Sequence, residues 1–527
     1  MAAAHGMTYS VSENIIRNTV FNAAGRFWGI LVTIFLTPYI LGHIGIERYG
    51  IWAIVGVLTG YFSLLDFGMG TSFVKYISEY YAKKDYKSIN QVISTGAAFY
   101  AVFAAVVVLV AFLAMHQLLA LFKVPQELAG EVFFVFRLGI VLFAVSNILS
   151  AFQAVQGGLQ RMDISNKISI GASVPMILGT VYFLEAGYGL RGLMLNNAVI
   201  LAATGAANVI AGFRIFPELR LSPSLVTRGM FGKLLNFGFK MQFSKVADAV
   251  VFQTDRLLIG HFLGVGEVGV YQLGSSIAYQ VRAVPLLLVS AILPAASDLN
   301  AKLEHDRLKM LYLKSSKYLV LASFPLIFFT MAAAQLVMRT WVGPGYERSA
   351  LVLQLLAAGY LANLLSGVGT SVSAAIGKPE IQMWAAIISA VSNIVLSVAL
   401  ILSIGFFGVA VATDVSFILS TGYFFFKLHR QMGLSTRKMA MEIVSLPLCA
   451  ALLPALAIAG LHYWLKPAFM CAGRPGSFGI LAMEGLAFAG IYLAGIIKGG
   501  YLDGYDREML RKAVLYLKSR TAPYAGL

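Results

Sequence analysis

Five charged side chains stand within one apolar stretch, residues 237–264 (FGFKMQFSKVADAVVFQTDRLLIGHFLG): Lys240, Lys245, Asp248, Asp255 and Arg256. The stretch is long enough to cross a bilayer, which takes ~20 residues of helix. On a helix, Met241, Lys245, Asp248, Phe252 and Arg256 share a stripe, because residues three or four apart lie on one face. A charge at bilayer depth costs ~2.5–3.5 kcal/mol on insertion scales, so this stripe should face protein or water rather than lipid. Two kinds of chemistry follow. Cations facing a hydrated cavity can hold an anion. The acids, with Asp248 three residues from Lys245 and Asp255 beside Arg256, either neutralise those cations or carry a moving H⁺ or Na⁺. Asp66 has no cation partner within its own apolar run, which makes it the freer candidate for ion coupling.

The elements that must position these groups are membrane helices. The chain has 527 residues, is 59% hydrophobic and only 12% charged, and has a mean hydropathy of +0.78. Soluble domains are about a quarter charged, so a polytopic membrane protein is indicated. Apolar runs of spanning length recur near 18–41, 49–74, 91–114, 131–155, 168–186, 193–213, 237–262, 268–297, 316–340, 349–376, 383–404, 408–430, 442–465 and 479–497. The fold class is therefore an all-α membrane protein with 14 transmembrane helices. Pro175, Pro285 and Pro325 mark kinks within spans, tolerable where neighbouring helices re-satisfy the backbone.

With the N-terminus inside, the cytoplasmic segments carry 27 Lys and Arg residues and the outer segments seven: Arg48, Lys123, Arg191, Arg339, Arg348, Lys466 and Arg474. The positive-inside rule then places both termini in the cytoplasm. It also explains the net charge of +16 better than nucleic-acid binding does, because the cations are interspersed with apolar spans. Six cations remain within spans: Arg26, Arg137, Lys240, Lys245, Arg256 and Arg282. Arg137 lies near a span end, where it can snorkel. The other five cluster in the first, seventh and eighth spans.

An internal repeat organises that cluster. Leu41-Gly42-His43 recurs as Ile259-Gly260-His261, and Gly50-Ile51-Trp52 as Gly269-Val270-Tyr271; Gln156-Gly157-Gly158 is echoed weakly by Ala375-Ile376-Gly377. A period of about 218 residues gives two lobes of six spans, 1–217 and 218–432, followed by 433–527 with two further spans and a basic tail. An even number of spans makes the lobes parallel, and such transporters bind substrate between lobes near the midplane. Lys245 falls where Arg26 falls in the first lobe. Asn18, Asn22, Arg26, Gly29 and Thr33 form a polar stripe on the first span, and Gln272, Ser276, Tyr279 and Arg282 another on the eighth. Converging, these stripes would make a hydrated cationic cavity.

Catalytic signatures are weak. The two GxGxxG matches, Gly187–Gly192 and Gly264–Gly269, lie in outer loops and read as turn glycines rather than a nucleotide site. There is no Walker A pattern, the seven histidines lack metal-ligand spacing, and no outer loop could carry an enzyme's constellation. No resident cofactor, metal or enzymatic activity is expected.

The residues Asn18-Thr19-Val20-Phe21-Asn22-Ala23-Ala24-Gly25, Pro38-Tyr39 with Leu41-Gly42 and Tyr49-Gly50, and Asp66-Phe67-Gly68-Met69-Gly70 leading to Lys75-Tyr76-Ile77-Ser78-Glu79-Tyr80 resemble the polysaccharide-export branch of the MOP superfamily. The resemblance implies a Wzx-type flippase. Such a protein moves a polyprenyl-diphosphate-linked oligosaccharide from the cytoplasmic to the outer leaflet of the bacterial inner membrane by alternating access. It also implies a V-shaped pair of lobes, a lipid-facing groove beside the last two helices, a monomer, and polysaccharide polymerase or assembly proteins as partners. In that setting Arg26, Lys245, Arg256 and Arg282 would contact the diphosphate, with Lys240 on the entry side and Asn22 and Tyr279 near the glycan. Arginine can engage phosphate oxygens in a fork. Asp66, Asp248 and Asp255 are the coupling candidates. A peptidoglycan-precursor flippase and a MATE-like exporter are the alternatives, the latter disfavoured by a cation, Arg26, in the first span.

Overall fold

The computed structural model describes residues 2–64, 66–464, 473–506 and 508, and their side chains except at 2–24, 26, 240–241, 243–245 and 290–291. Every regular element among them is helical: α1 (Ala2–Leu64), α2 (Met69–Ala82), α3 (Tyr86–Leu113), α4 (Met115–Ala120), α5 (Ala129–Gly158), α6 (Met162–Glu185), α7 (Gly189–Ile215), α8 (Arg228–Phe262), α9 (Val265–Leu286) and α10 (Ile292–Ala301). There follow α11 (His305–Ala332), α12 (Ala334–Trp341), α13 (Glu347–Leu365), α14 (Gly367–Ala375), α15 (Pro379–Ile404), α16 (Phe406–Met432), α17 (Thr436–Met439), α18 (Ser445–Trp464) and α19 (Arg474–Lys498). Among the described residues, twelve stretches are long and apolar enough to cross a membrane. Large apolar side chains lie bare along them, among them Leu109, Leu113, Leu402, Met483 and Leu486, the last 76% exposed. Only a lipid solvent makes so much apolar exposure tolerable.

Helix ends follow local chemistry. Asp85 caps α3 by accepting the Ser88 N–H at 3.1 Å, and Thr227 caps α8 through the Met230 N–H at 3.3 Å. Such caps satisfy amides that have no partner within the helix. α1 bends at Gly45, whose φ of 76° is left-handed. Pro175, Pro285 and Pro325 sit inside α6, α9 and α11, and α9 passes into a 3₁₀ stretch, Leu287–Ala291, just beyond Pro285. A proline removes one intrahelical donor and so opens the ladder there.

Several of the left-handed residues recur in the register of the sequence repeat. Gly45 pairs with Gly264, Lys84 with Leu303, Gln160 with Gly377 and Gly187 with Gly405, and the offset between partners drifts by no more than a residue or two along the chain. The α3–α4 break at Ala114 likewise has its counterpart in the α11–α12 break at Ala333. Gly50 and Gly269, equivalent in the repeat, are in mutual backbone contact. A Cβ on Gly50 would lie 1.8 Å from the Val265 carbonyl oxygen, and one on Gly269 would lie 2.4 Å from that of Ile46. No other residue fits there.

Two compact units result, Met1–Ser276 with Ala386–Ser416, and Ile277–Ala385 with Phe417–Leu527. The first is built around Phe73, Tyr100, Phe152, Phe216 and Leu234. The second gathers Tyr312, Phe324 and Phe328 of α11, Phe424 of α16, Ala451 and Ala455 of α18, and Phe488 and Tyr492 of α19.

Beyond α19 the chain is clipped back to the start of α11. Lys317 and Lys314 pair with Asp506, Lys314 also with Asp503, and Tyr318 donates to Asp506 at 2.6 Å. Burial alone would raise the Asp506 pKa, but the hydrogen bonds from Lys317, Tyr318 and the Asp503 N–H outweigh it and hold the carboxyl well below its usual range. A depressed folded pKa contributes stability in full above the ordinary Asp value of about 4, and loses it as pH falls toward the folded value. Asp506→Asn should therefore free the segment after Lys498 to limited proteolysis at pH 7, at a cost on the order of 1 kcal/mol. The wild type should show the same susceptibility only on acidification below about pH 4. Unchanged cleavage of the variant would show that the clip does not hold this segment.

Candidate functional site

The first unit contains a polar cavity of about 370 Å³. Thr33 and Thr37 of α1 line it ahead of the Gly45 bend, and Tyr49, Trp52 and Gly56 behind it; α8 adds Gln253 and Arg256, and α9 adds Gln272 and Ser276. The spacing explains the convergence. Gln253 and Arg256 are three apart and Gln272 and Ser276 four apart, so each pair shares a helical face. α8 comes close to α1 because Gly60 lacks a side chain: a Cβ there would lie 2.5 Å from Gln253 Oε1. Tyr61 fixes the same crossing, its hydroxyl 2.5 Å from Thr254 Oγ1 and bonded to the Ala249 carbonyl at 3.3 Å.

Within the cavity Gln272 Nε2 donates to Ser276 Oγ at 2.9 Å. Arg256 Nε and Gln272 Oε1 are buried and make no hydrogen bond among the described residues. A buried polar group left unsatisfied costs ~1–3 kcal/mol. A solute that accepts from the guanidinium and donates to the amide would recover that cost, and a sugar phosphate offers both functions. Trp52 and Tyr49 add aromatic faces to the same wall.

Asp255, one residue before Arg256, points elsewhere. Its carboxylate is buried, with Tyr271 of α9 donating to Oδ2 at 2.5 Å and Thr413 of α16 at 3.0 Å. Asn393 of α15 donates to Thr413 Oγ1 at 2.9 Å. Oδ1 of Asp255 and Oδ1 of Asn393 are buried without hydrogen bonds. Among the described residues no Lys or Arg forms an ion pair with Asp255, whose direct partners are the hydroxyls of Tyr271 and Thr413. A buried carboxylate needs a proton or a cation, and the oxygens of Asp255, Asn393, Thr413 and Tyr271 are hard donors suited to either.

The other candidates are dispersed. In the second unit Arg282 donates through Nε to Asn363 Oδ1 at 2.8 Å, with its guanidinium 5.6 Å from the centre of the Tyr360 ring. Tyr279 is 43% exposed in the same unit. Asp248 is exposed on α8. Asp66 sits in the break between α1 and α2, where Oδ1 accepts the Gly68 N–H at 2.8 Å and Oδ2 the Tyr100 hydroxyl at 3.3 Å. Gln242 Nε2 meets the freed Leu64 carbonyl there at 2.6 Å. Asp66 thus braces the turn that leads into α2, a role that its lack of a cation partner did not reveal. The side chains of Asn22, Arg26, Lys240 and Lys245 lie outside the described residues. Sequence reasoning missed Gln253, Asn393 and Thr413; Tyr271 was visible only as the repeat counterpart of Trp52.

With this geometry in hand, the relatives are informative. Residues 44–351 match the polysaccharide biosynthesis protein family. The chain is 21% identical over 412 residues to a putative O-antigen transporter of Shigella flexneri, covering 77% of this chain and 96% of that one. It is 23% identical over 411 residues to a probable low-salt glycan biosynthesis flippase of Haloferax volcanii, covering 76% and 79%. Among solved structures it superposes on the lipid II flippase MurJ in an inward closed conformation with a TM-score of 0.68 at 15% identity, over 91% of this chain and 98% of that one. A multidrug MATE transporter of the MOP superfamily, inward-facing, gives 0.66 at 13% identity over 76% and 94%. A family match across more than half its length, on a helical fold shared with MOP transporters, makes this chain a member of the polysaccharide biosynthesis protein family.

Proposed function

We propose that the protein is a flippase that moves a polyprenyl-diphosphate-linked oligosaccharide from the cytoplasmic to the outer leaflet for surface polysaccharide assembly. The observation that carries this reading is the cavity where Arg256 Nε and Gln272 Oε1 stand buried and unbonded among threonine, serine and aromatic side chains. An anionic, hydroxyl-rich headgroup matches that lining, and relatives named as O-antigen transporter and glycan flippase favour the same substrate class. Arg282, Arg26, Lys245 and Lys240 are assigned as further diphosphate contacts, and Asn22 and Tyr279 as glycan contacts.

Fourteen crossings are proposed. α1 supplies two, one on each side of its Gly45 bend, and α8 is a crossing disguised by its charges, five of them within residues 237–264. The lobes are 1–217 and 218–432, supported by the recurrent left-handed residues, with 433–527 appended. Both termini are placed in the cytoplasm and the protein in the bacterial inner membrane, acting as a monomer beside the polymerase. Asp255, with Asn393, Thr413 and Tyr271, is assigned to the coupling ion, H⁺ or Na⁺.

The test is deletion of the gene in its host. Surface polysaccharide should disappear, and the lipid-linked oligosaccharide should accumulate where a membrane-impermeant oxidant added to sealed right-side-out vesicles cannot reach it. Oxidation at the wild-type level would overturn the reading.

A further inference from the structure

The second unit carries a separate cavity of about 250 Å³ at the junction of α12, α13 and α18. Arg339 of α12, the Gly343–Tyr346 turn, Glu347 at the start of α13 and His462 of α18 line it. Arg474, the first residue of α19, reaches the same turn: its Nη2 donates to the Val342 carbonyl at 2.9 Å and lies 3.1 Å from where a Gly343 Cβ would be. We propose that this cavity binds the phosphoryl headgroup of a membrane lipid in the outer leaflet.

Four observations support this. Arg339 lines the cavity and the Arg474 guanidinium stands beside its Gly343 rim, and guanidiniums are forked donors of the kind that suit phosphate oxygens. Opposing charge is limited: Glu347 lines the cavity, while Glu484 is engaged by His462 Nε2, 2.9 and 3.0 Å from its two oxygens. α13, of 19 residues, begins here, with Glu347 in the lining, and helix starts favour anions. Finally, Tyr463 and Trp464 are 80% and 81% exposed at the end of α18, which fits the aromatic belt at headgroup depth. The volume falls below the ~300–1,000 Å³ typical of drug-sized ligands, so a headgroup fits where an oligosaccharide does not. Arg339 and Arg474 are also two of only seven outer cations in the sequence, placed against the positive-inside bias.

The outer placement rests on the proposed topology; the cavity and its residues do not. Two lipids offer this chemistry, a bulk anionic phospholipid and the polyprenyl diphosphate at release. Native mass spectrometry of the purified full-length protein, with phosphatidylglycerol, undecaprenyl diphosphate or diacylglycerol added, distinguishes them. The wild type should retain at least one phosphoryl lipid about tenfold better than diacylglycerol. Arg339→Gln and, separately, Arg474→Gln should remove that preference while melting as the wild type does, so either variant alone suffices if the other fails to fold. Retention of phosphatidylglycerol assigns the site to bulk lipid, and retention of the diphosphate alone assigns it to the transported lipid. Equal retention of all three lipids, or an undiminished preference in the folded variants, overturns the proposal. Because binding is read on isolated protein, that result leaves the transport reading intact, and failure of the deletion test leaves this site standing.

Discussion

Arg256→Glu abolishes surface-polysaccharide export while the protein still accumulates in the membrane. The side chain lines the polar cavity of the first unit, and its buried Nε makes no hydrogen bond among the described residues. Reversing its charge puts a carboxylate where, on the proposed path, the diphosphate passes. Truncating one partner of a buried, hydrogen-bonded charge pair costs ~2–5 kcal/mol, and reversal adds repulsion, so the transport rate should fall by more than about 100-fold. Arg256→Lys keeps the charge and loses the fork, so it should retain an intermediate rate. Export is read as surface polysaccharide per cell, with membrane protein quantified by immunoblot. Wild-type export by the Glu variant would remove this cavity from the substrate path.

The second large effect falls on Asp255. Asp255→Asn preserves the shape of the buried cluster and deletes its charge, so it should uncouple transport from the ion gradient and slow it by at least about tenfold, since an intramembrane acid is functional by default. Thr413→Val keeps the acid and removes one oxygen. It should weaken ion dependence by ~10–100-fold, the usual cost of losing a supporting partner at an ion site. Flux in proteoliposomes, measured across pH and Na⁺ concentration, checks both. Asp66→Asn is the internal comparison. Because Asp66 holds the turn before α2, accepting the Gly68 N–H and the Tyr100 hydroxyl, its loss should lower the melting temperature without moving the ion dependence. If the Asp255 variant keeps wild-type ion dependence, the cluster is structural.

Arg256 is legible in the sequence because a charge inside an apolar run is rare, and because helical spacing aligns it with other polar residues. Thr33, Gln272 and Ser276 belong to stripes that the same spacing reveals, and the structure brings all four to one cavity. The repeat is legible through glycines at sites of backbone contact, of which Gly50 and Gly269 are an instance. Asn393 and Thr413 are not legible. They are single polar residues in long apolar helices, and only packing brings them to Asp255. The sequence also points Asp255 toward Arg256, its neighbour, whereas consecutive helical residues diverge by about 100°. Adjacency along a helix is therefore a poor guide to pairing.

The repeat shows how labour is divided between the two halves. In the register that pairs Gly45 with Gly264, the counterpart of Asp255 is Leu36, an apolar residue. The first half retains the polar contact between its fifth and sixth spans, where Asn196 Nδ2 donates to Thr180 Oγ1 at 3.0 Å. Asn196 lies beyond Gly187, and in the register that pairs Gly187 with Gly405 it corresponds to Asp414; among the described residues no acid is hydrogen-bonded to the first-half contact. Each half thus has a polar contact between its fifth and sixth spans, made by different positions, and among the described residues only the second-half contact includes a hydrogen-bonded buried acid. If Asp255 takes up the coupling ion as proposed, the gradient acts on the second half alone, and the first half moves only through the contacts that join it to the second.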